Sequence, residues 1–180
     1  HFHAYPFTSD EARQKVVKLA EILGRFSMGV RLHLVRFTDV QTHIKKTAPY
    51  PWMTVLLRMA MMKAAENIAA RCGAKCLITG ESLSQVASQT VENIACAQSV
   101  AAKPVLRPLI GIDKEAIIRI ARAIGSYETA ILPYEDCCVL FSPEHPILHG
   151  DVEEALKLFE KLDVNGLIEQ SVEERVVCRL

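Results

Sequence analysis

The pattern of hydrophobic and polar positions changes repeatedly along the chain, from the 3.6-residue repeat of helices to the alternation of strands. Residues 10–23 have a helical pattern that Thr8 or Ser9 can cap, with Asp10 and Glu11 in the first turn, where they suit the helix dipole. Residues 30–37 alternate as V-R-L-H-L-V-R-F and predict a strand. The first forty residues therefore predict a helix followed by a strand.

The middle of the chain continues this alternation. Residues 38–51 are polar, contain two prolines and predict a surface loop, whereas residues 52–70 are rich in Met and Ala and predict a long helix. The apolar run 76–79 ends at Gly80 and predicts a buried parallel strand. A helix is expected over residues 85–97, and a further short strand over residues 105–106.

The last third is predominantly helical in pattern. Asp113 is expected to cap a helix that Gly125 ends, and the apolar stripe of that helix comprises Ile117, Ile118, Ile120, Ala121 and Ile124. Another helix is expected over residues 151–162, while the final fifteen residues are amphipathic and remain unassigned. The alternation predicts one α/β domain over residues 1–180, with a parallel sheet between two layers of helices. Because the pattern begins part-way through at His1, we expect this sheet to lack its first strand or strands.

Composition supports a globular, cytoplasmic protein. Half of the residues are hydrophobic and only 6% are aromatic, so the core is expected to consist of aliphatic side chains and Met. No apolar run approaches the roughly 18 residues that span a membrane, and no signal peptide is recognisable. The six cysteines have no paired C-x-x-C spacing, and reduced thiols are expected.

Charge is distributed unevenly although the formal net charge is zero. Residues 1–90 contain 12 Lys and Arg against 6 Asp and Glu, whereas residues 91–180 contain 9 against 15. A basic half can face the phosphates of a nucleotide or an RNA. The alternative is that solvated helix faces differ by chance.

The polar segment T-G-E-S-L-S-Q-V-A-S-Q-T at residues 79–90 is the first candidate for chemistry. It follows a predicted parallel strand, at the edge of the sheet where ligands of such folds bind. Gly80 has no side chain and lets a ligand approach the backbone, and Glu81, Ser82 and Gln89 supply hydrogen-bonding groups. The alternative is a capped helix start with a polar face.

A second candidate is the segment L-P-Y-E-D-C-C at residues 132–138. Adjacent cysteines rarely form a disulfide with each other, so Cys137 or Cys138 is a candidate reactive thiol, or both are small core residues. A zinc site with His145 and His149 is disfavoured, because adjacent cysteines do not readily occupy two corners of one tetrahedron. We therefore predict no metal site in the protein itself.

Arg58 is the third candidate, because it interrupts a strongly apolar helical stretch. Such an arginine either extends its charged end to solvent or binds an anion.

Taken together, these segments resemble the tRNA 4-thiouridine synthetase (ThiI) family. The resemblance rests on four stretches that occur in the family's order and cover nearly the whole chain: HFHAYPFTS at 1–9, TGESLSQVASQTVENI at 79–94, RPLIGIDKEAIIRIA at 107–121 and LPYEDCCVLFSPEHP at 132–146. The second and fourth are the most specific. The resemblance implies a PP-loop ATP pyrophosphatase fold of the adenine-nucleotide α-hydrolase type.

The family's activity implies the chemistry expected of this chain. Uridine 8 of tRNA is adenylated by ATP with Mg²⁺, and persulfide sulfur then displaces AMP, so that 4-thiouridine is formed. The resemblance places nucleotide contacts at His1, Phe2, Arg58, Gly80 and Gln89. It places the sulfur-handling cysteine at Cys137, with Cys138 as the neighbouring alternative. The implied partners are tRNA and a cysteine desulfurase, no membrane is implied, and a homodimer is compatible with the sequence.

The chain also departs from the family pattern. The phosphate-binding loop S-G-G-x-D-S and the RNA-binding THUMP region lie upstream of His1 in the family, and Met59 stands where a second arginine is common. On this basis the 180 residues alone are expected to bind ATP poorly and to lack adenylation activity. The rival hypotheses are a degenerate, non-catalytic module that binds a nucleotide or RNA, and another PP-loop enzyme such as a 2-thiouridine or lysidine synthetase.

Overall fold

A computed structural model describes residues 1–134 and 143–180, which form helices and short strands. In chain order they are β1 (Phe2–His3), α1 (Asp10–Gly24), β2 (Arg31–Arg36), α2 (Thr38–Thr47), α3 (Met53–Arg71), β3 (Leu77–Ile78), α4 (Val91–Gln98), β4 (Val105–Leu106), α5 (Lys114–Ala123), α6 (Tyr127–Ala130), α7 (Val152–Lys161), α8 (Asn165–Glu173) and β5 (Val176–Arg179). Short 3-10 helices cover Tyr50–Trp52 and Ala87–Gln89.

The strands form two small sheets. In the first, β1 pairs in parallel with β2, and β2 pairs antiparallel with β5. In the second, β3 and β4 are parallel, with Leu77 opposite Val105 and Ile78 opposite Leu106. The predicted α/β class with parallel strand pairing is confirmed. The antiparallel edge strand β5 falls in the terminal stretch that the sequence pattern left unassigned.

Helix α3 lies at the centre of the core. It contacts α2, α4, α7 and α8, and its Leu56, Met59 and Ala60 are completely buried. A helix surrounded by others needs apolar residues on several faces, which explains why this stretch lacks a polar stripe. Arg58 is thereby held on an element that is itself fixed by packing.

Several predicted helix boundaries are confirmed by their caps. The Ser9 and Asp151 side chains accept hydrogen bonds from the backbone N–H groups of Ala12 and Glu154 at the starts of α1 and α7. Gly125 follows α5 with a φ of 74°, the left-handed conformation that ends many helices.

The predicted loop over residues 38–51 is wrong, because most of it is helix α2. Its apolar positions are few, but Val40 and Ile44 are four residues apart and both are buried, together with Gln41. Asp39 in the first turn and Lys45 and Lys46 in the last turn suit the helix dipole.

The predicted helix over residues 85–97 begins later than expected, at Val91. The Thr90 hydroxyl accepts a hydrogen bond from the Asn93 backbone N–H and caps α4 there. Before it, Ser84 has a φ of 60° and the chain forms a loop and a 3-10 turn. The polar segment 79–90 is therefore a compact loop rather than the first turn of a helix.

The burial predicted for β3 is wrong, and the apolar stripe of α5 is only partly covered. None of the residues of α5 is fully buried, and Ile120 in that stripe is 47% exposed. Strand β3 was expected to be buried, but Ile78 is 69% exposed. Both elements have less protein packed against them than their apolar sequences suggest. No helix in the described ranges has the length and apolar character needed to cross a bilayer.

Candidate functional site

The turn at residues 79–82 leaves the carboxyl end of β3 and is fixed against the chain that follows β4. The Thr79 backbone N–H donates to the Leu106 carbonyl at 3.0 Å, and the Ser82 hydroxyl donates to the Ile112 carbonyl at 3.2 Å. Gly80 lies at the exposed side of this turn. A Cβ atom at Gly80 would meet no atom within 4 Å, and its φ is not left-handed. Neither packing nor backbone conformation within this chain therefore requires a glycine at this position.

Gln89 folds back onto the same turn. Its side-chain oxygen accepts a hydrogen bond from the Ser82 backbone N–H at 3.4 Å, and its backbone carbonyl accepts one from Ser84 at 3.0 Å. The structure thus brings Gly80 and Gln89, which were singled out separately, into one compact loop at the carboxyl end of the parallel pair.

Glu81 joins this loop to helix α3 and to the end of β4. Its side chain is only 2% exposed. One carboxylate oxygen accepts from Arg58 Nη2, and the other accepts from Arg107 Nε at 2.7 Å and from the Thr79 hydroxyl at 2.8 Å. Arg58, an expected nucleotide contact, is thereby joined to the residue that follows Gly80.

The charge state of this cluster follows from its hydrogen bonds. Burial by itself raises the pKa of Glu81, but the hydrogen bonds from Arg107 and Thr79 and the positive charge of Arg58 outweigh burial, so that this pKa lies below its ordinary value. Glu81 is therefore ionised at neutral pH. With two guanidinium groups and one carboxylate, the cluster has a net charge of plus one.

Arg107 and Glu81 were not predicted to act together. The available signal is their position, because Arg107 is the first residue after β4 and Glu81 the third after β3, and the carboxyl ends of paired parallel strands meet at one edge. Recognising it requires knowing that these two short strands pair with each other, which the sequence alone does not establish.

His1 and Phe2 lie at a second location, at the start of the other sheet. The Phe2 ring is 4.8 Å from the Phe37 ring between centroids, and His1, Phe2 and Tyr134 help to line a cavity of about 580 Å³ with the amino-terminal half of α1. Burial, followed by the charge of Arg13, lowers the pKa of His3 in the same wall.

The two locations are linked through α3. Phe2 and Met61 both pack against the buried Ala4, and Met61 lies three residues after Arg58, on the neighbouring turn of the same helix. Arg58, Gly80 and Gln89 do not themselves line the His1–Phe2 cavity. The structure therefore connects Arg58 and Gln89 to the loop that contains Gly80, through Glu81 and Ser82, and places the other two expected residues near the same helix.

Cys137 and Cys138 lie outside the described residues. Tyr134, the last described residue before them, lines the cavity that contains His1 and Phe2, and the Lys15 ammonium group donates to the Leu132 carbonyl at 3.0 Å. After the segment, the Glu144 backbone N–H donates to the Tyr50 hydroxyl at 2.9 Å. Within residues 1–134 and 143–180, no three His, Cys, Asp or Glu side chains are grouped as metal ligands.

These features define an α/β domain whose candidate ligand groups lie at the carboxyl end of paired parallel strands. The chain belongs to the ThiI family, because the family model described as thiamine biosynthesis protein (ThiI) matches residues 1–164. The resemblance in the sequence motifs is thus confirmed over most of the chain.

Individual relatives agree with this assignment. The chain is 48% identical to a probable tRNA sulfurtransferase of Treponema pallidum subsp. pallidum over 180 residues, which is all of this chain and 45% of the relative. It is 48% identical to a probable tRNA sulfurtransferase of Caldanaerobacter subterraneus subsp. tengcongensis over 174 residues, 97% of this chain and 46% of that protein.

A solved structure is similar over almost the whole chain. It is a crystal structure of a 4-thiouridine synthetase–RNA complex with bound ATP, with a TM-score of 0.93 and 39% sequence identity, covering 99% of this chain and 47% of that one. The chain spans about half the length of the relatives and of the solved chain that it matches.

Proposed function

We propose that this chain supplies the ATP-binding and sulfur-transfer residues of a tRNA 4-thiouridine synthetase. The observation that carries the proposal is the convergence of Arg58, Gly80 and Gln89 on one loop at the carboxyl end of β3, in a fold similar to that of a synthetase with bound ATP and RNA. The open space beside Gly80 fits a ligand that approaches the backbone closely.

The residues of this loop fit a nucleotide by charge as well as by shape. The Arg58–Glu81–Arg107 cluster has a net charge of plus one, and about a quarter of the side chain of Arg58, which pairs with the residue after Gly80, is exposed. We propose that Arg58 faces the ATP phosphates, that Gln89 hydrogen-bonds to the nucleotide, and that the backbone at His1 and Phe2 contacts it from the other sheet. Mg²⁺ is proposed as the counter-ion of the phosphates, with which it commonly enters such sites.

The reaction divides into two displacements. The C4 oxygen of uridine 8 in tRNA attacks the α-phosphorus of ATP and pyrophosphate leaves, which turns a poor leaving group into a good one. A persulfide sulfur then attacks C4 and AMP departs with the former carbonyl oxygen. A second thiol breaks the remaining sulfur–sulfur bond and is oxidised to a disulfide, which a thiol reductant restores. We propose Cys137 as the persulfide carrier or the resolving thiol, with a cysteine desulfurase as sulfur donor.

Replacing Cys137 and Cys138 separately by Ser in the full natural polypeptide tests this proposal. Two quantities are measured: tRNA-dependent pyrophosphate release from ATP, and 4-thiouridine formation with cysteine and a cysteine desulfurase. Because a serine hydroxyl cannot carry a persulfide, we expect Cys137→Ser to release pyrophosphate normally and to form no 4-thiouridine. Cys138→Ser and the control Cys72→Ser, which alters a half-buried thiol at the end of α3, should retain both activities.

The outcomes separate the alternatives. If neither Cys137→Ser nor Cys138→Ser lowers sulfur transfer, the assignment of the thiol is wrong. If only Cys138→Ser abolishes 4-thiouridine formation, Cys138 is the working thiol. If the unmodified polypeptide forms no 4-thiouridine and releases no pyrophosphate, the non-catalytic module is supported instead.

A further inference from the structure

The contacts of Glu81 assign it a role that extends beyond the residues expected to touch the nucleotide. Its buried carboxylate accepts hydrogen bonds from three side chains on three segments: Arg58 on α3, Thr79 at the end of β3 and Arg107 at the end of β4. A carboxylate used in this way fixes the direction of each guanidinium, because the planar guanidinium donates along set directions. Glu81 is therefore the common anchor of both arginines.

The two arginines differ in what they can reach. The Arg58 side chain is 26% exposed, whereas that of Arg107 is 12% exposed and is further held by the Gln98 side-chain oxygen at 2.6 Å. Arg58 is thus the more accessible of the two arginines to a ligand, and Arg107 is the more enclosed. Both arginines bind the Glu81 carboxylate, so Arg107 affects Arg58 through Glu81.

The Arg58–Glu81–Arg107 cluster contains buried polar groups that lower the stability of the fold. Arg58 Nε and Arg107 Nη2 are buried and have no hydrogen-bond partner among the described residues. One carboxylate is shared by two guanidinium groups, so one positive charge of the cluster is left without a counter-charge from Glu81. Buried donors without partners are uncommon, and each such case calls for an explanation beyond stability. Holding an arginine ready for an anionic ligand is one such explanation.

We propose that Glu81, supported by Thr79 and Arg107, is a positioning residue that orients Arg58 toward the ATP phosphates. This inference rests on the proposed function, in which Arg58 contacts the nucleotide. The advantage is entropic: a long arginine side chain that is already fixed in the folded protein loses less freedom when ATP binds. Thr79, Glu81 and Arg107 make no contact with ATP in this proposal.

Charge and position predict opposite effects of removing the carboxylate. Glu81→Gln raises the net charge of the cluster from plus one to plus two. If Glu81 only weakened the positive field, this change would tighten ATP binding. If Glu81 positions Arg58, the change weakens binding in spite of the added charge. The direction of the change in ATP affinity therefore distinguishes the two roles.

Glu66 provides a matched control on α3, the helix that also contains Arg58. Like Glu81 it is a buried carboxylate, and it accepts hydrogen bonds from the backbone N–H groups of Ala102 and Lys103 at 2.6 and 2.9 Å. These groups precede β4, whereas Arg107 follows it. Glu66→Gln therefore removes a buried carboxylate charge at the other end of that strand.

The experiment measures ATP affinity by titration, and the KM for ATP in tRNA-dependent pyrophosphate release, in the full natural polypeptide. We expect Glu81→Gln to weaken ATP binding by about three- to tenfold, the range for one side chain that must be ordered on binding. The KM should rise while the rate at saturating ATP changes little. Glu66→Gln should bind ATP as the unmodified protein does. Arg107→Lys keeps the positive charge but not the planar donor group. Its ATP affinity should lie between those of the unmodified protein and of Arg107→Gln.

Three results would overturn the proposal or the function beneath it. Unchanged or tighter ATP binding by Glu81→Gln, together with weaker binding by Arg58→Gln, refutes positioning and leaves the nucleotide role of Arg58 intact. Unchanged ATP binding by Arg58→Gln refutes both the positioning role of Glu81 and the nucleotide contact of Arg58. If Glu81→Gln does not fold, Thr79→Val replaces it as a near-isosteric loss of one hydrogen bond to Glu81, and binding equal to that of the unmodified protein refutes positioning.

Discussion

At the scale of single residues, Gly80 is the position at which effects on ATP binding and on folding stability are most clearly separable. A methyl group there would meet no atom of this chain within 4 Å. We predict that Gly80→Ala leaves the free energy of unfolding unchanged or raises it by up to about 1 kcal/mol, through the smaller entropy of the unfolded chain. ATP affinity should fall by about tenfold or more, because the methyl group occupies the space of the ligand and overpacking typically costs about 1–3 kcal/mol.

Gly150→Ala is the matched control for this prediction. A Cβ atom at Gly150 would lie 2.8 Å from the Asn93 side-chain oxygen and 3.1 Å from the Cys96 sulfur. The free energy of unfolding should fall by about 1–3 kcal/mol, with unchanged ATP affinity below the unfolding transition. Chemical denaturation and ATP titration measure the two quantities. Equal ATP affinity of Gly80→Ala and the unmodified protein would contradict a close approach of the nucleotide at Gly80.

Among the secondary-structure elements, Glu81 joins α3 to the ends of β3 and β4, and this connection should depend on pH. The pKa of Glu81 is lowered in the folded protein, so its ionisation stabilises the fold above the unfolded-state pKa of about 4.3, and this contribution is lost as the pH falls through the lower folded-state pKa. Glu81→Gln should reduce the free energy of unfolding by on the order of 3 kcal/mol near neutral pH, because it leaves buried guanidinium groups unbalanced.

Denaturation of the unmodified protein and of Glu81→Gln over a range of pH checks this prediction. The difference in the free energy of unfolding should be constant between about pH 6 and 8 and should shrink below about pH 4.3. Glu66→Gln should show a difference of the same sign, because hydrogen bonds from Lys103 and Ala102 also outweigh burial and lower the pKa of Glu66. A difference for Glu81 that grows on acidification would contradict the ion-pair geometry.

The helices and strands could be predicted from the sequence where their hydrophobic pattern is strong. They were missed where tertiary packing determines the local structure. Helices α1, α3 and α7 have clear periodicity or caps and were predicted to within a few residues. Helix α2 was missed because a few buried residues, Val40, Gln41 and Ile44, hold it against the core while its composition is polar. The late start of α4 depends on the Thr90 cap, which competes with an equally polar stretch before it.

Strand β5 shows the limit of local patterns most clearly. Its four residues pair with β2, nearly 150 positions earlier in the chain. Such a short strand is stabilised by its partner rather than by its own sequence. The same limit applies to the site, because the Arg58–Glu81–Arg107 contacts depend on the pairing of β3 with β4 and on the packing of α3, neither of which a single-sequence pattern contains.

Across the molecule, the proposed function depends on α3 as a common support. It forms the centre of the core, its Met61 packs with Phe2 against Ala4, and its Arg58 reaches the loop that contains Gly80 and Gln89. The family resemblance supplied the candidate residues, and the fold connects both groups of them to α3, residues 1–2 through Met61 and Ala4 and residues 80–89 through Arg58.

ATP titration of Arg58→Gln and Arg71→Gln in the full natural polypeptide tests the central claim most directly. Both arginines lie on α3 and bind glutamates, but Arg58 pairs with Glu81, the residue after Gly80, whereas Arg71 pairs with two glutamates of α8. Loss of a charge-assisted hydrogen bond of about 1.5–3 kcal/mol should weaken ATP binding of Arg58→Gln by roughly ten- to a hundredfold, and Arg71→Gln should bind as the unmodified protein does. Equal ATP affinities of the two variants would contradict the assignment of the nucleotide site to this loop.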